Sequence, residues 1–420
     1  MPSTSTESAG RGAQWAWAFY DWANSAFATT VIAGFFPIFF NRYWADGVAP
    51  STQTLYLGLG GSISSLVVML LSPWLGAVAD RRGWKKRFLA ATTLLGGLST
   101  AALFFVSQGQ WQWALVLFTI GSIAFFGGLC FYDALIVNVA KPEEFDRVSS
   151  LGYGLGYLGG GLLFAVNVAM ALKPQWFGLA DAGIATRVAF LMVAFWWLAF
   201  SLPLFFKVPE RGAAAGELAP GWRELLNTLR RLREMRPVWL FLIAYWLYID
   251  GVDTIIRMAV DFGLSLGFGQ QSLIAALLLV QFIGFPAAIG FGWLASAWET
   301  KKAIYLGLAV YGAISAWGYF LTAVWQFYVM AAAIGLVQGG VQSLSRSYFA
   351  RLIPAAKSGE YFGIYNMMGK FAAVLGPILV GVTAAATGSA RASIVSVVVL
   401  FIAGGVLLTR VDARQAKANT

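Results

Sequence analysis

Four charged residues fall within twelve positions of an otherwise apolar stretch: Asp250, Asp253, Arg257 and Asp261. Their spacings of three, four and four place all of them on one face of a helix. A charge inside a membrane span costs roughly 2.5–3.5 kcal/mol on insertion scales, so each one needs a reason. Arg257 can neutralise Asp253 at i−4 and Asp261 at i+4. That leaves Asp250 over, beside Gly251. The surplus negative charge is the chemistry of a cavity that takes a cation or an amine. An earlier apolar stretch carries Asp21, Asn24 and Ser25 on one face; there Asp21 either lines a cavity or anchors the helix entrance among Trp15, Trp17 and Trp22. Asn366 and Lys370 share a face at i, i+4. Gln338, Gln342 and Arg346 form a stripe of the same spacing, and Gln281 stands alone on another segment. A zwitterion needs partners for its carboxylate and for its ammonium in one dry cavity. Arg257 or Lys370 suits the first, Asp250 or Asp253 the second. An amino acid or small peptide fits this set; sugars, drugs and organic cations are the alternatives.

A second group of charges suits conformational work instead. One apolar stretch ends at Gly76 and Asp80, continues through Arg81, Arg82, Trp84, Lys85, Lys86 and Arg87, and enters the next stretch at once. Asp133 lies toward the corresponding end of a later span. Asp80, Asp133 and one of Arg81, Arg82 and Arg87 are therefore expected to form a latch at one membrane face. Arg346 is expected near the same face as a gate or anchor.

Several chemistries are excluded. The chain has no histidine and one cysteine, Cys130, so a Ser-His-Asp triad, a histidine-ligated metal and an intrachain disulfide are ruled out. Gly154, Gly156 and Gly159 match G-x-G-x-x-G, but no strand precedes them; Gly152, Gly156 and Gly160 instead give the four-residue spacing of close helix packing. Gly363 to Lys370 mimics a P-loop with the wrong spacing and ends in Phe371 rather than Ser or Thr. The expectation is a protein that is not an enzyme and that holds no cofactor or metal.

The elements that position these residues are membrane helices. Hydrophobic residues make up 59% of 420 and charged ones 11%, against about 25% charged in soluble domains. Mean hydropathy is +0.70. Twelve stretches approach the ~20 apolar residues a spanning helix needs, near 16–40, 55–79, 88–106, 112–137, 149–171, 188–206, 238–262, 272–297, 303–323, 327–348, 361–386 and 392–409. With the N-terminus cytoplasmic, 23 of the 29 cations fall inside and only Arg42, Lys173, Arg187 and Arg391 outside, while Arg257 and Lys370 lie within spans. The net charge of +10 is thus topology rather than a nucleic-acid footprint. The opening residues are polar and lack a basic region, so no cleavable signal is expected.

The segment 207–237 separates six spans from six. Its later part, 222–236, alternates leucine with arginine as an amphipathic helix on an anionic lipid surface does. The basic joint at 76–87 is echoed about 216 residues later, at Gly292 to Lys302, and the turn Lys141–Arg147 about 213 residues later, at Pro354–Glu360. Two matching offsets predict an all-α integral membrane protein with two parallel six-helix repeats, 1–206 and 238–420, and a site at their interface.

The joint at 76–87 resembles the loop between helices 2 and 3 of the major facilitator superfamily, departing from it at Trp84. Four ordered blocks resemble its vacuole-effluxer-like (autophagy-protein-22-like) branch more closely: Tyr20 to Phe27, Leu151 to Gly161, Asp250-Gly251, and Gln342 to Pro354 continuing through Phe362-Gly363, Tyr365-Asn366 and Gly369 to Phe371. The resemblance covers nearly the whole chain. It implies a twelve-helix secondary transporter working by alternating access, with eukaryotic relatives associated with amino-acid export from the vacuole. The corresponding expectation is a monomer in a prokaryotic plasma (inner) membrane with both termini cytoplasmic. It would move a small polar solute with H⁺ or Na⁺ as candidate coupling ion, contact lipids, and bind no nucleic acid. The rival reading is a membrane scaffold or lipid-interacting protein.

Overall fold

A computed structural model describes residues 10–210, 230, 232–265, 267–371 and 375–412, without the side chains at 257–262, 264, 265, 270 and 390. Most of the expected amphipathic segment 222–236, namely 222–229 and 231, lies outside the described residues. Among the described residues, twelve helices follow one another. The first half contains α1 (Arg11–Trp44), α2 (Pro50–Arg82), α3 (Lys85–Phe105), α4 (Trp111–Val139), α5 (Phe145–Leu172) and α6 (Ala182–Lys207). The second contains α7 (Arg236–Ser265), α8 (Gln270–Ala297), α9 (Thr300–Gly318), α10 (Val324–Leu352), α11 (Ser358–Phe371, then Leu375–Thr387) and α12 (Arg391–Thr409). Among the described residues there is no strand, and eleven helices are long and apolar enough to span a bilayer. The remaining one, α9, begins with Lys301 and Lys302, which lower its hydropathy. Below, the terminal face is the face that carries the start of α1 and the end of α12.

Local sequence explains the departures from straight helices. From Phe27 to Phe35 α1 winds with wider, π-helical turns, and Pro37 restarts regular winding just beyond. This region stacks Phe36 on Phe118 of α4 at 4.0 Å between ring centres. At the other end of the first half, Gly83 takes a left-handed conformation (φ 64°) that ends α2 and lets α3 begin two residues later.

Glycines set where the halves touch. The absent side chain of Gly76 on α2 leaves room for the carbonyl of Gly359 on α11, and a Cβ on Gly363 would come within 2.5 Å of the Ser72 carbonyl oxygen. On the other flank α5 meets α8, with Gly154 against Phe285 and Gly292 against Ser150. Toward the face opposite the termini the halves part at α2. On the terminal side Ser358–Phe371 packs on α2, whereas Leu375–Thr387 packs on α7 and the start of α12. Ile378 and Val382 in this outer piece are 54% and 63% exposed.

A methyl group at Gly76 should therefore oppose closure of the terminal face without disturbing either half. Overpacking of this kind costs typically 1–3 kcal/mol, a shift of roughly 5- to 150-fold in a two-state balance. Gly76→Ala should raise the thiol labelling rate of a cysteine placed at Ser358, in a Cys130→Ala background, by a factor in that range. An unchanged rate would show that the contact does not hold the face shut.

Candidate gate between the halves

Arg346 on α10 is 2% exposed and inserts into the first half. Its Nη1 donates to Asp133 Oδ1 at 3.0 Å, and its Nη2 lies 3.4 Å from Asp21 Oδ2. Nε donates to Ser149 Oγ and Nη2 to the Ser149 carbonyl, both at 2.9 Å. Three aromatic rings face the guanidinium: Tyr153 at 4.5 Å, Trp17 at 4.7 Å and Tyr132 at 5.3 Å. The Trp17 and Tyr132 rings and both carboxylates are themselves fixed. The Tyr132 hydroxyl donates to Asp21 at 2.8 Å, Trp17 Nε1 donates to the Tyr132 carbonyl at 2.9 Å, and Asn366 Nδ2 on α11 donates to Asp133 at 3.1 Å. Gly152 makes the insertion sterically feasible, since a Cβ there would lie 2.7 Å from Asp21 Oδ2 and 3.2 Å from Arg346 Nη2.

Two further ties join the halves at the same face. Asp80 pairs with Lys85 at 2.7 Å and accepts the backbone N–H groups of Gly359 and Glu360 at 2.9 and 2.8 Å. Its charge thereby meets the positive end of the α11 dipole. Lys85 Nζ also donates to Ser358 Oγ. On the symmetry-related flank, Asp146 at the start of α5 pairs with Arg351 at 2.8 Å and accepts from Thr300 Oγ1 at the start of α9. Glu210, just beyond α6, accepts the backbone N–H groups of Lys85 and Lys86 and so holds the chain after α6 against the basic joint. Desolvation pushes its carboxyl above the usual carboxylate range, against the pull of those two amides.

The expected latch is therefore corrected in its pairing. Asp80 takes Lys85 rather than an arginine of the joint, and Asp133 takes Arg346 from the opposite half. Arg82 and Arg87 lie over the Trp84 ring at 4.5 and 5.5 Å, and Arg81 is partly exposed. Asp21, placed by sequence among the cavity residues, belongs to the Arg346 cluster, and Asn366 joins it through Asp133. Asp146, Arg351, Ser149 and Lys85 were not singled out. Asp146 lies within the polar turn Lys141–Arg147 and Arg351 just before its repeat Pro354–Glu360, and that repetition is the signal the sequence offers.

Asp250 has a different task from the one its position suggests. It is fully buried, and its two oxygens accept the N–H groups of Leu375 and Gly376 at 2.8 and 2.9 Å. Thr254 Oγ1 donates to the same carboxylate at 3.3 Å. The group caps the outer piece of α11 instead of facing open space. Asp253 is half-buried on the next turn, and the Arg257 and Asp261 side chains lie outside the described residues. Gln281 bridges the halves by donating to Thr29 Oγ1 on α1. Lys370 places its ammonium 3.0 Å from the Phe126 ring centre. Asn24 is buried at 2% exposure, whereas Gln338 and Gln342 are partly exposed. Tyr157 packs between Gly284 and Gly339, in the α5–α8–α10 seam. No group of three or more His, Cys, Asp or Glu able to hold a metal occurs among the described residues.

The twelve described helices, with halves tied at the terminal face by a charge cluster across the seam, can be set beside known proteins. The family model described as "Vacuole effluxer Atg22 like" matches residues 47–143 and 137–420. The chain belongs to that family. An uncharacterised MFS-type transporter of Bacillus subtilis (strain 168), YxiO, is 37% identical over 397 residues, 93% of each chain. Autophagy-related protein 22-1 of Aspergillus niger is 28% identical over 303 residues, 65% of this chain and 48% of that one. This chain thus spans about half the length of that fungal relative. In fold it is similar to the human organic anion transporter MFSD10 (TM-score 0.71, 16% identity, 95% and 98% of the two chains covered). FucP in its outward conformation gives a TM-score of 0.70 at 12% identity, covering 96% and 98%. The protein is a major facilitator superfamily transporter of the membrane, not an enzyme.

Proposed function

We propose that this transporter exports a small polar solute, an amino acid or small peptide, by alternating access across a prokaryotic plasma membrane. The observation that carries the reading is the buried tie of Arg346 to Asp21 and Asp133, which joins the halves at one face while α2 and α11 part toward the other. Residues 1–206 and 238–420 rock as two bodies joined by 207–237, with the terminal face cytoplasmic. Asp21, Asp80, Lys85, Asp133, Asp146, Arg346 and Arg351 form the gate. Asp253, Arg257, Gln281, Gln338 and Lys370 supply the solute path. The family description supports efflux, and the 23-to-4 distribution of cations supports the orientation.

Counterflow of labelled amino acids into proteoliposomes of purified protein tests the transport reading, and imposed ΔpH or Na⁺ gradients test the coupling ion. Counterflow that no amino acid or dipeptide supports would overturn the substrate class. Orientation has its own test. In intact cells Glu143→Cys should resist an impermeant thiol reagent, whereas Gln108→Cys at the opposite face should label; the reverse pattern would invert the topology.

A further inference from the structure

The partners of the Arg346 guanidinium named above all belong to the first half: Trp17 and Asp21 on α1, Tyr132 and Asp133 on α4, Ser149 and Tyr153 on α5. Arg346 itself belongs to the second. We propose that this pocket is a recognition site for the cationic head of the transported solute, and that Arg346 occupies it as an internal stand-in while the terminal face is closed. The proposal rests on the transport reading and names the solute class for it: a small molecule bearing a guanidinium or ammonium group.

When the halves separate at the terminal face, α10 withdraws and the pocket keeps what surrounded the guanidinium. That is two carboxylates, three aromatic faces and the Ser149 carbonyl, on helices that stay packed together: α1 on α4 through the Trp17–Tyr132 stack at 4.5 Å, and α1 on α5. Carboxylates held in a low-dielectric site need a cation, and aromatic faces within about 6 Å of one add attraction where water is scarce. A planar guanidinium suits the two carboxylates best, because its fork of donors can reach both. A cation entering from the terminal face thus meets a pocket already shaped for one. As the face closes, Arg346 returns to the same place and displaces the cation toward the opposite side. The two cannot occupy the pocket together, which disfavours rebinding from the face just left.

Removing the stand-in tests this on the full-length protein. Arg346→Ala should bind guanidinium and agmatine, read as a saturable rise of the unfolding temperature at millimolar concentrations. Wild type, in which Arg346 competes for the pocket, should show a much smaller rise. Urea, the neutral isostere of guanidinium, and sodium chloride should give none with the variant. Adding Asp133→Asn should weaken the apparent affinity at least tenfold. The proposal is overturned if wild type responds equally, if urea acts as well as guanidinium, or if lower pH alone gives the same rise. Should Arg346→Ala fail to fold, wild-type proteoliposomes supply the test. Agmatine should then inhibit amino-acid counterflow from the terminal face, and Tyr153→Leu should weaken that inhibition. Robust counterflow that agmatine leaves untouched would sink the cationic pocket while sparing the transport reading; absence of any counterflow would sink the transport reading itself.

Discussion

With Arg346 replaced by glutamine, a cysteine at Ser358 in a Cys130→Ala background should react with a soluble thiol reagent far faster than in the parent. Ser358 is buried under Lys85 at the start of α11 while the halves are tied. Glutamine keeps some of the length of arginine but leaves Asp21 and Asp133 with no opposite charge from α10. Breaking a buried pair by removing one partner typically costs about 3–5 kcal/mol, and this cost falls only on the state in which the halves meet. The closed-to-open ratio should drop by roughly two to nearly four orders of magnitude, until labelling saturates at the rate of the open form. Asp133→Asn should give a smaller increase, because Arg346 then keeps Asp21 and loses one of two carboxylates. That order of effects separates a gate from a fold-wide defect, in which both variants would unfold alike. A labelling rate within twofold of the parent for Arg346→Gln would show that the cluster does not hold the face.

Much of this architecture is legible in the sequence because a bilayer enforces it. Apolar runs of spanning length, cations gathered on one side and repeated turns at matching offsets follow from the solvent rather than from tertiary detail. Pairing across the seam was not legible. Asp80 and Lys85 are neighbours in a visible joint, yet their use depends on which helix start lies opposite, here that of α11. Asp133 was placed at the right face and given the wrong partner. The cation that meets it is 213 positions away, on a helix brought close by the packing of α5 and α8 against α10. Arg346 read as a residue near a helix end, where long side chains snorkel to water. Gly152 and Ser149 open a path for it inward instead. Asp250 misled for a related reason: a buried carboxylate reads as solute chemistry until the piece of helix it caps is known.

Asp250→Asn should slow transport severely and lower stability, with little change in the solute concentration at half-maximal rate. The carboxylate receives two backbone N–H groups at the start of Leu375–Thr387, and asparagine can present only one acceptor oxygen to them. Its amide would turn a second donor toward a backbone donor. A lost cap costs about 0.5–2 kcal/mol, and a hydrogen bond to a charged acceptor about 1.5–3, so a loss near the upper end of these ranges is expected. The effect reaches function because the two pieces of α11 answer to different neighbours. Ser358–Phe371 moves with its grip on α2, whereas Leu375–Thr387 is held to α7 by Asp250. Weakening that hold lets closure of the terminal face proceed without carrying the outer piece of α11 with it. Counterflow velocity should therefore fall at least tenfold while half-saturation stays within about threefold, alongside a lower unfolding temperature. A rise in half-saturation of thirtyfold or more with unfolding unchanged would return Asp250 to direct contact with the solute, the role its position in the sequence first suggested.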